Sequence, residues 1–344
     1  MKRIWSTQLF LCALGGALLF AVVLSMSSGQ YDISIEAAIA SFAHAAGLPI
    51  LTDVVVTPEQ EAVLWHIRLP RTLVGLMVGA GLGISGAVLQ GIFSNPLADP
   101  GIIGVSSGAS VGAVLAIGMG VAAGSVLSLP AFAFAGSMLA VSLTVSLSMR
   151  HGRIPVMTLL LSGVVVGMFL AACTAAILTV MNEQKMQQYL FWTIGGLDYR
   201  RWDHVLLGIG PIGFGASVMV LLARHLNLLA FGEVEARAAG MPVTAFRLFF
   251  LVLASLTTAA GVCISGNIGF VGLVVPHMMR LIVGPDHRRL LPASLLAGAV
   301  FLVLCDSVGR ILLHGMEIRV GIMTAFIGTP YFLYLLRRHM KTGG

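Results

Sequence analysis

Charge is what this sequence most lacks. Only 10% of its 344 residues are Asp, Glu, Lys or Arg, where a soluble domain carries roughly 25%, and its mean hydropathy is +0.97. A surface solvated chiefly by water is excluded. Lysine is scarcer still: Lys2, Lys185 and Lys341 are the only ones, and none completes a GxxxxGK[ST] phosphate loop, so the chain has no sequence site for ATP hydrolysis. Cys12, Cys173, Cys263 and Cys305 fall in apolar runs with no CxxC pair, which reads as small buried side chains rather than a metal or redox site. Paired carboxylates at mid-membrane are missing; Asp306, the single acid inside an apolar span, lies near its outer end. A proton- or sodium-coupled carrier needs an ionisable relay near the midplane, so a stand-alone secondary carrier is the weaker reading. A membrane-embedded enzyme would need clustered catalytic groups, and there are none to name.

What the sequence has instead is apolar runs of about 20 residues, the length that crosses a ~30 Å hydrocarbon core. An all-α polytopic membrane protein follows, one permease domain over 1–344, with spans expected near 4–26, 70–92, 101–121, 126–149, 155–181, 203–223, 243–265, 267–284, 291–312 and 319–336. The run after Lys2 and Arg3 exceeds the 7–15 residues of a cleaved signal segment and reads as a retained first helix. The 41 glycines suit helices packed closely in lipid. Ten spans put both termini on one side. With the N-terminus inside, thirteen of the 20 Lys and Arg lie on inner segments, Arg337, Arg338 and Lys341 among them, so both termini are expected in the cytoplasm.

Arg68, Arg71 and Arg310 run against that bias by sitting at outer span ends. They serve either to dock a partner or to pair locally; Asp306, one turn before Arg310, is the obvious local partner. Shifting the chain by 180 residues lays Gly81–Gly86 over Gly261–Gly266 and Pro96 over Pro276, in spans of opposite direction, which suggests an inverted internal repeat. His277 has no second His or Cys at helical spacing and reads as a capping or packing residue, as do Met278 and Met279. Gly104, Ser106, Ser107, Gly108 and Ser110 crowd the start of the third span, for tight packing or for irregular backbone along a pathway. Between spans six and seven, 227–241 reads as a short helix ending at Gly240, with Glu233 and Glu235 early and Arg237 late, matching the helix dipole. Such a helix on the cytoplasmic face suits a groove in a partner protein; its early acids disfavour anionic lipid.

Three long stretches carry a family resemblance. Arg68-Leu69-Pro70-Arg71, Ile84–Gln90 and Asn95–Ala109 closely resemble the FecCD-type permeases, and the likeness continues through Phe191–Leu197, Gly232–Gly240, Gly269–Arg280 and Gly328-Thr329-Pro330. These are the type II membrane subunits of ABC importers for ferric siderophores, haem and cobalamin. The resemblance implies ten helices per subunit, a homodimer with the pathway between two copies, two separate ATPase chains that carry the ATP and Mg²⁺, and a substrate-binding protein on the outer side. No cofactor, metal or catalytic residue is expected in this chain, and no nucleic acid; its surroundings are the lipid of the inner membrane. Glu233, Glu235, Ala236, Arg237 and Gly240 would form the coupling element seated in the ATPase. Arg68, Arg71 and Arg310 match the arginines that receive acids of the binding protein, and Asn95 and Leu97 match the cytoplasmic gate. The expected cargo is an iron chelate, a ferric siderophore or haem, with cobalamin as the alternative.

Overall fold

The computed structural model describes residues 2–48, 53–150, 152–313 and 315–342, with the side chains of 2–7, 334–336 and 338–342 left aside. The charges expected at Lys2, Arg3, Arg338 and Lys341 therefore lie outside the described side chains. No strand occurs among the described residues. In lipid every backbone amide must find its partner within its own segment, and an apolar chain answers that with helices.

The helices are α1 (Lys2–Ser27), α2 (Ile35–Ala45), α3 (Pro58–Val63), α4 (Leu69–Ile92), α5 (Val105–Gly118), α6 (Ser128–Ser148), α7 (Val156–Thr179), α8 (Glu183–Ile194), α9 (Trp202–Leu221), α10 (Ala223–Phe231), α11 (Glu233–Ala238), α12 (Val243–Ser265), α13 (Val271–Val283), α14 (His287–Ile311) and α15 (Val320–Thr342). Among the described residues, seven are long and apolar enough to cross a membrane: α1, α4, α6, α7, α9, α12 and α14. Ten expected spans are all present as helices, but two are shorter than expected. α5 has 14 residues and α13 has 13, about 20 Å of rise each. The spans drawn at 101–121 and 267–284 are therefore short helices entered by irregular backbone: a 3₁₀ turn over Pro100–Ile103 with Gly104 at φ +92°, and the Gly266–Phe270 stretch with Phe270 at φ +68°. Non-helical backbone is tolerated at depth when protein covers it, and Ile103, Ile268 and Val271 are all at most 5% exposed.

Three connecting helices were not marked by hydropathy. Ser34 caps α2 by accepting from the Ala37 amide. Thr57 and Gln60 form a reciprocal capping box at α3. Asn182 caps α8, whose first half is polar, and Lys185 Nζ reaches the Gly118 carbonyl at 2.7 Å, closing the C-terminal end of α5. Between α3 and α4, a π-helical turn over Leu64–Arg68 joins the two into one 35-residue run.

α4 lies at the centre, against α14, α12, α9 and α13. Glycine sets these contacts. A Cβ on Gly79 would fall 2.3 Å from the Gly298 carbonyl oxygen, one on Gly298 would fall 2.2 Å from that of Gly79, and one on Gly86 would lie 1.8 Å from that of Gly272. α5 and α6 meet the same way, Gly108 against Gly136, so of the small residues at the start of the third span Gly108 serves close packing and Gly104 an irregular backbone. The proposed repeat holds in part. Gly81 of α4 packs on Thr257 of α12 while Gly261 of α12 faces Val78 of α4, a near-reciprocal exchange. Pro96, however, lies in a turn and Pro276 inside α13, so the 180-residue shift is not a structural equivalence throughout.

Candidate functional site: two polar ends of an apolar bundle

Polar groups gather at the two ends of the bundle. At the end bearing α2, α3 and α8, Arg68, Arg71 and Arg310 are 3%, 9% and 4% exposed. Arg71 forks onto Asp306, Nη2 to Oδ1 at 2.8 Å and Nε to Oδ2 at 3.0 Å, and its Nη1 donates to Glu317 at 2.8 Å. Arg310 Nε lies 3.2 Å from Asp306 Oδ2, so one carboxylate serves two guanidinium groups. Arg310 also donates to the carbonyls of Ser25 and Ser28 and to Ser25 Oγ, and Arg68 donates to the carbonyls of Met26 and Tyr31. The final turn of α1 leaves carbonyls without helical partners at the negative end of its dipole, and two arginines close it. The three do not stand free as surface receivers. In the single chain α1 and the 28–31 segment fold over them, and the local pairing with Asp306 that the sequence offered beside docking is present, while Arg71 also lines an open cavity.

Beside them opens a cavity of about 570 Å³ lined by His66, Arg71, Arg200, Arg201, Glu317 and Arg319 among others. Arg319 pairs with Asp198 at 3.0 Å and stacks 4.7 Å above the Phe191 ring. Arg200 donates to the Gly196 carbonyl and stands 3.3 Å from His204 Nε2, while Arg201 is exposed. Four arginines against Asp198 and Glu317 leave this wall positive. The sequence reading passed over Asp198, Arg200, Arg201, Glu317 and Arg319, although charges at 198, 200 and 201 in so apolar a chain were a signal. The other large grooves are apolar; one on α15 is lined by Ile322, Phe326 and Pro330 with the Thr329 hydroxyl.

At the opposite end, α10 and α11 are two helices where one was expected, parted at Gly232 (φ +130°). The stop at Gly240 (φ +79°) is as expected: the Met241 amide donates to Ala236 O and the Gly240 amide to Arg237 O, which closes the final turn. Glu233 pairs with Arg237 at 2.5 Å and with Arg247 of α12 at 3.3 Å, and Arg247 also donates to the Ile154 carbonyl. Glu235 and Arg237 are exposed. Ala236 is 0% exposed, so its expected contact with a partner is corrected: it is the anchor of α11 on the bundle. Phe231 and Val234, each 76% exposed, are the apolar side chains actually presented.

The same end carries the 93–99 turn. The Asn95 amide donates to Gln90 O at 3.2 Å and the Ser94 amide to Gly91 O at 3.3 Å, capping α4 with Ser94 in the left-handed region (φ +47°). Asn95 Oδ1 accepts from the Leu97 amide at 2.9 Å, and Leu97 is 37% exposed. Asp99 caps the 3₁₀ turn through the Gly101 amide at 2.7 Å. His277 is buried in α13, and among the described residues no cluster of His, Cys, Asp or Glu could hold a metal.

Comparison with known proteins adds the identity of this arrangement. Residues 17–338 match the FecCD transport family. A cobalamin import system permease protein of Halobacterium salinarum is 43% identical over 296 residues, 84% of this chain and 79% of that protein. A hemin transport system permease protein of Yersinia pestis is 36% identical over 284 residues, 81% of this chain and 85% of that protein. A solved inward-facing metal-chelate type ABC transporter superposes with a TM-score of 0.84 at 34% identity, covering 96% of this chain and 99% of that one. With an apolar helical bundle between two polar ends and a family match over nearly its whole length, the chain belongs to the FecCD transport family of ABC importer permeases.

Proposed function

We propose that the chain is the permease of an ATP-driven importer in the inner membrane, working as a pair of copies with the pathway between them, and served by two separate ATPase chains. The observation that carries this reading is the α10–α11 element. It is anchored by buried Ala236 and by Glu233 on Arg247, and it offers Phe231, Val234 and Glu235 outward. That suits a groove in a partner. The charge bias puts this end, the 93–99 turn and both termini in the cytoplasm. Asn95 and Leu97 then form the inner gate, and the arginine-lined cavity opens outward. A binding protein seats acidic groups over that cavity, meeting Arg201 and Arg319 at its rim and Arg71 on its floor, while Arg68 and Arg310 hold the frame. ATP and Mg²⁺ reside on the partner chains; closure of the ATPases favours one arrangement of the paired permeases and shifts the population toward it.

The cargo is a metal chelate, with an iron chelate (ferric siderophore or haem) as the first reading. Cobalamin is the second, favoured by the 43% identical cobalamin permease. The test is uptake into liposomes holding the chain, its ATPase and its binding protein, with a ferric siderophore, haem and cobalamin each offered with and without ATP. Uptake of one of them only with ATP is expected. Uptake that persists without the ATPase and collapses with the proton gradient would establish a secondary carrier instead.

A further inference from the structure

Between α10 and the start of α14 lies a part-buried polar contact that neither the coupling element nor the gate accounts for. Asn227 of α10 donates from Nδ2 to Asp286 Oδ1 at 2.7 Å. Its Oδ1 accepts from the His287 backbone amide at 2.8 Å and lies 2.7 Å from His287 Nδ1. These partners fix the roles. A carboxylate oxygen accepts, so Nδ2 faces Asp286; an amide oxygen only accepts, so the proton of His287 sits on Nδ1. Partial burial works against the charge of Asp286, but the bonds from Asn227 and the Arg288 amide, with Arg288 and Arg289 nearby, hold it below the usual carboxylate range.

His287 is 0% exposed, and its Nε2 is buried with no hydrogen-bond partner. That atom bears on α4: a Cβ on Gly91 would lie 2.7 Å from Nε2 and 3.3 Å from Leu226 Cγ. An unpaired nitrogen in such a place is costly, and a phenylalanine would fill the space without it. The imidazole is thus explained by its grip on Asn227 better than by its bulk. Gly91, beside the ring, and Gln90 before it are the residues whose carbonyls hold the Ser94 and Asn95 amides. We infer that Asn227 and His287, bearing on Gly91, are positioning residues that link the α10–α11 element mechanically to the Asn95–Leu97 turn.

The linkage rests on the proposed function, in which α10–α11 receives an ATPase and the turn is a gate. It is tested without knowing the cargo, in the full complex of two permeases and two ATPases in lipid. Leu97→Cys carries a spin label on a background where Cys12 and Cys173 are alanine, and the distance between the two labels is measured without nucleotide and after trapping with ATP and vanadate. In the otherwise unaltered chain the distance shifts on trapping. With His287→Phe, ATP hydrolysis continues while the shifted population falls at least about fivefold; Asn227→Ala gives the same result by removing the other half of the pair, and serves if the first variant does not assemble. A merely structural role predicts the opposite for His287→Phe, which deletes an unpaired nitrogen and retains the ring. A full shift in either variant overturns the linkage. A label that does not move even in the unaltered chain overturns the gate assignment, and the linkage with it.

Discussion

Asp306 is the residue on which one end of the bundle turns. It is 2% exposed, forks with Arg71 and pairs with Arg310, so its removal would leave two buried guanidinium groups without their shared carboxylate. Asp306→Asn keeps the shape and deletes the charge; we expect a loss of about 3–5 kcal/mol of stability, read as a fall in thermal unfolding temperature in detergent. Glu317→Gln, whose side chain is 32% exposed, should cost under about 1 kcal/mol. Equal effects of the two would show that burial does not govern this cluster. The sequence announced only part of it. Asp306 and Arg310 are one helical turn apart and could be paired on spacing, whereas Arg71 and Asp306 are separated by 235 positions and meet only because α4 and α14 do. The same holds for Asn227 and His287, 60 positions apart. Long-range polar pairs leave no periodic trace, and that is why the sequence offered Asp306 as a partner to Arg310 but could not assign it to Arg71.

At the scale of elements, α11 separates residues that hold from residues that reach. Glu235 and Val234 point out, so Glu235→Arg should leave folding unchanged, within about 0.5 kcal/mol, and lower ATP-driven uptake at least about tenfold through weaker ATPase binding. Uptake at the original rate, with the ATPase still co-purifying, would remove α11 from the coupling role. Hydropathy marked the seven long apolar helices because lipid imposes length and apolarity together. It did not mark α2 or α8, nor that the helices of spans three and eight are short. The signal of that shortening is backbone: glycines at 104 and 266 with positive φ, which an apolar-run count cannot register. The break at Gly232 was hidden for the same reason, since the stretch from Asn227 to Gly240 reads as one helix by composition.

For the whole molecule, the two ends differ in what they offer a partner. One presents an apolar and acidic ridge, the other a positive cavity. Charge at an exposed rim governs encounter more than final affinity, so Arg201→Glu should slow association of the binding protein severalfold at low salt and little at high salt. A rate unchanged at every salt concentration would place docking elsewhere on that face.

The glycine contacts have a mechanical consequence. Where α4 touches α14 at Gly79 and Gly298, α13 at Gly86 and Gly272, and α5 touches α6 at Gly108 and Gly136, backbone rests on backbone. No side chain lies between them, so each pair sets its two helices at the closest distance that backbone allows. A methyl group at Gly79, Gly86, Gly108, Gly136 or Gly298 would meet a facing carbonyl oxygen and drive two helices apart, so the spacing of α4 against α13 and α14, and of α5 against α6, is set by residues that have no side chain to give way.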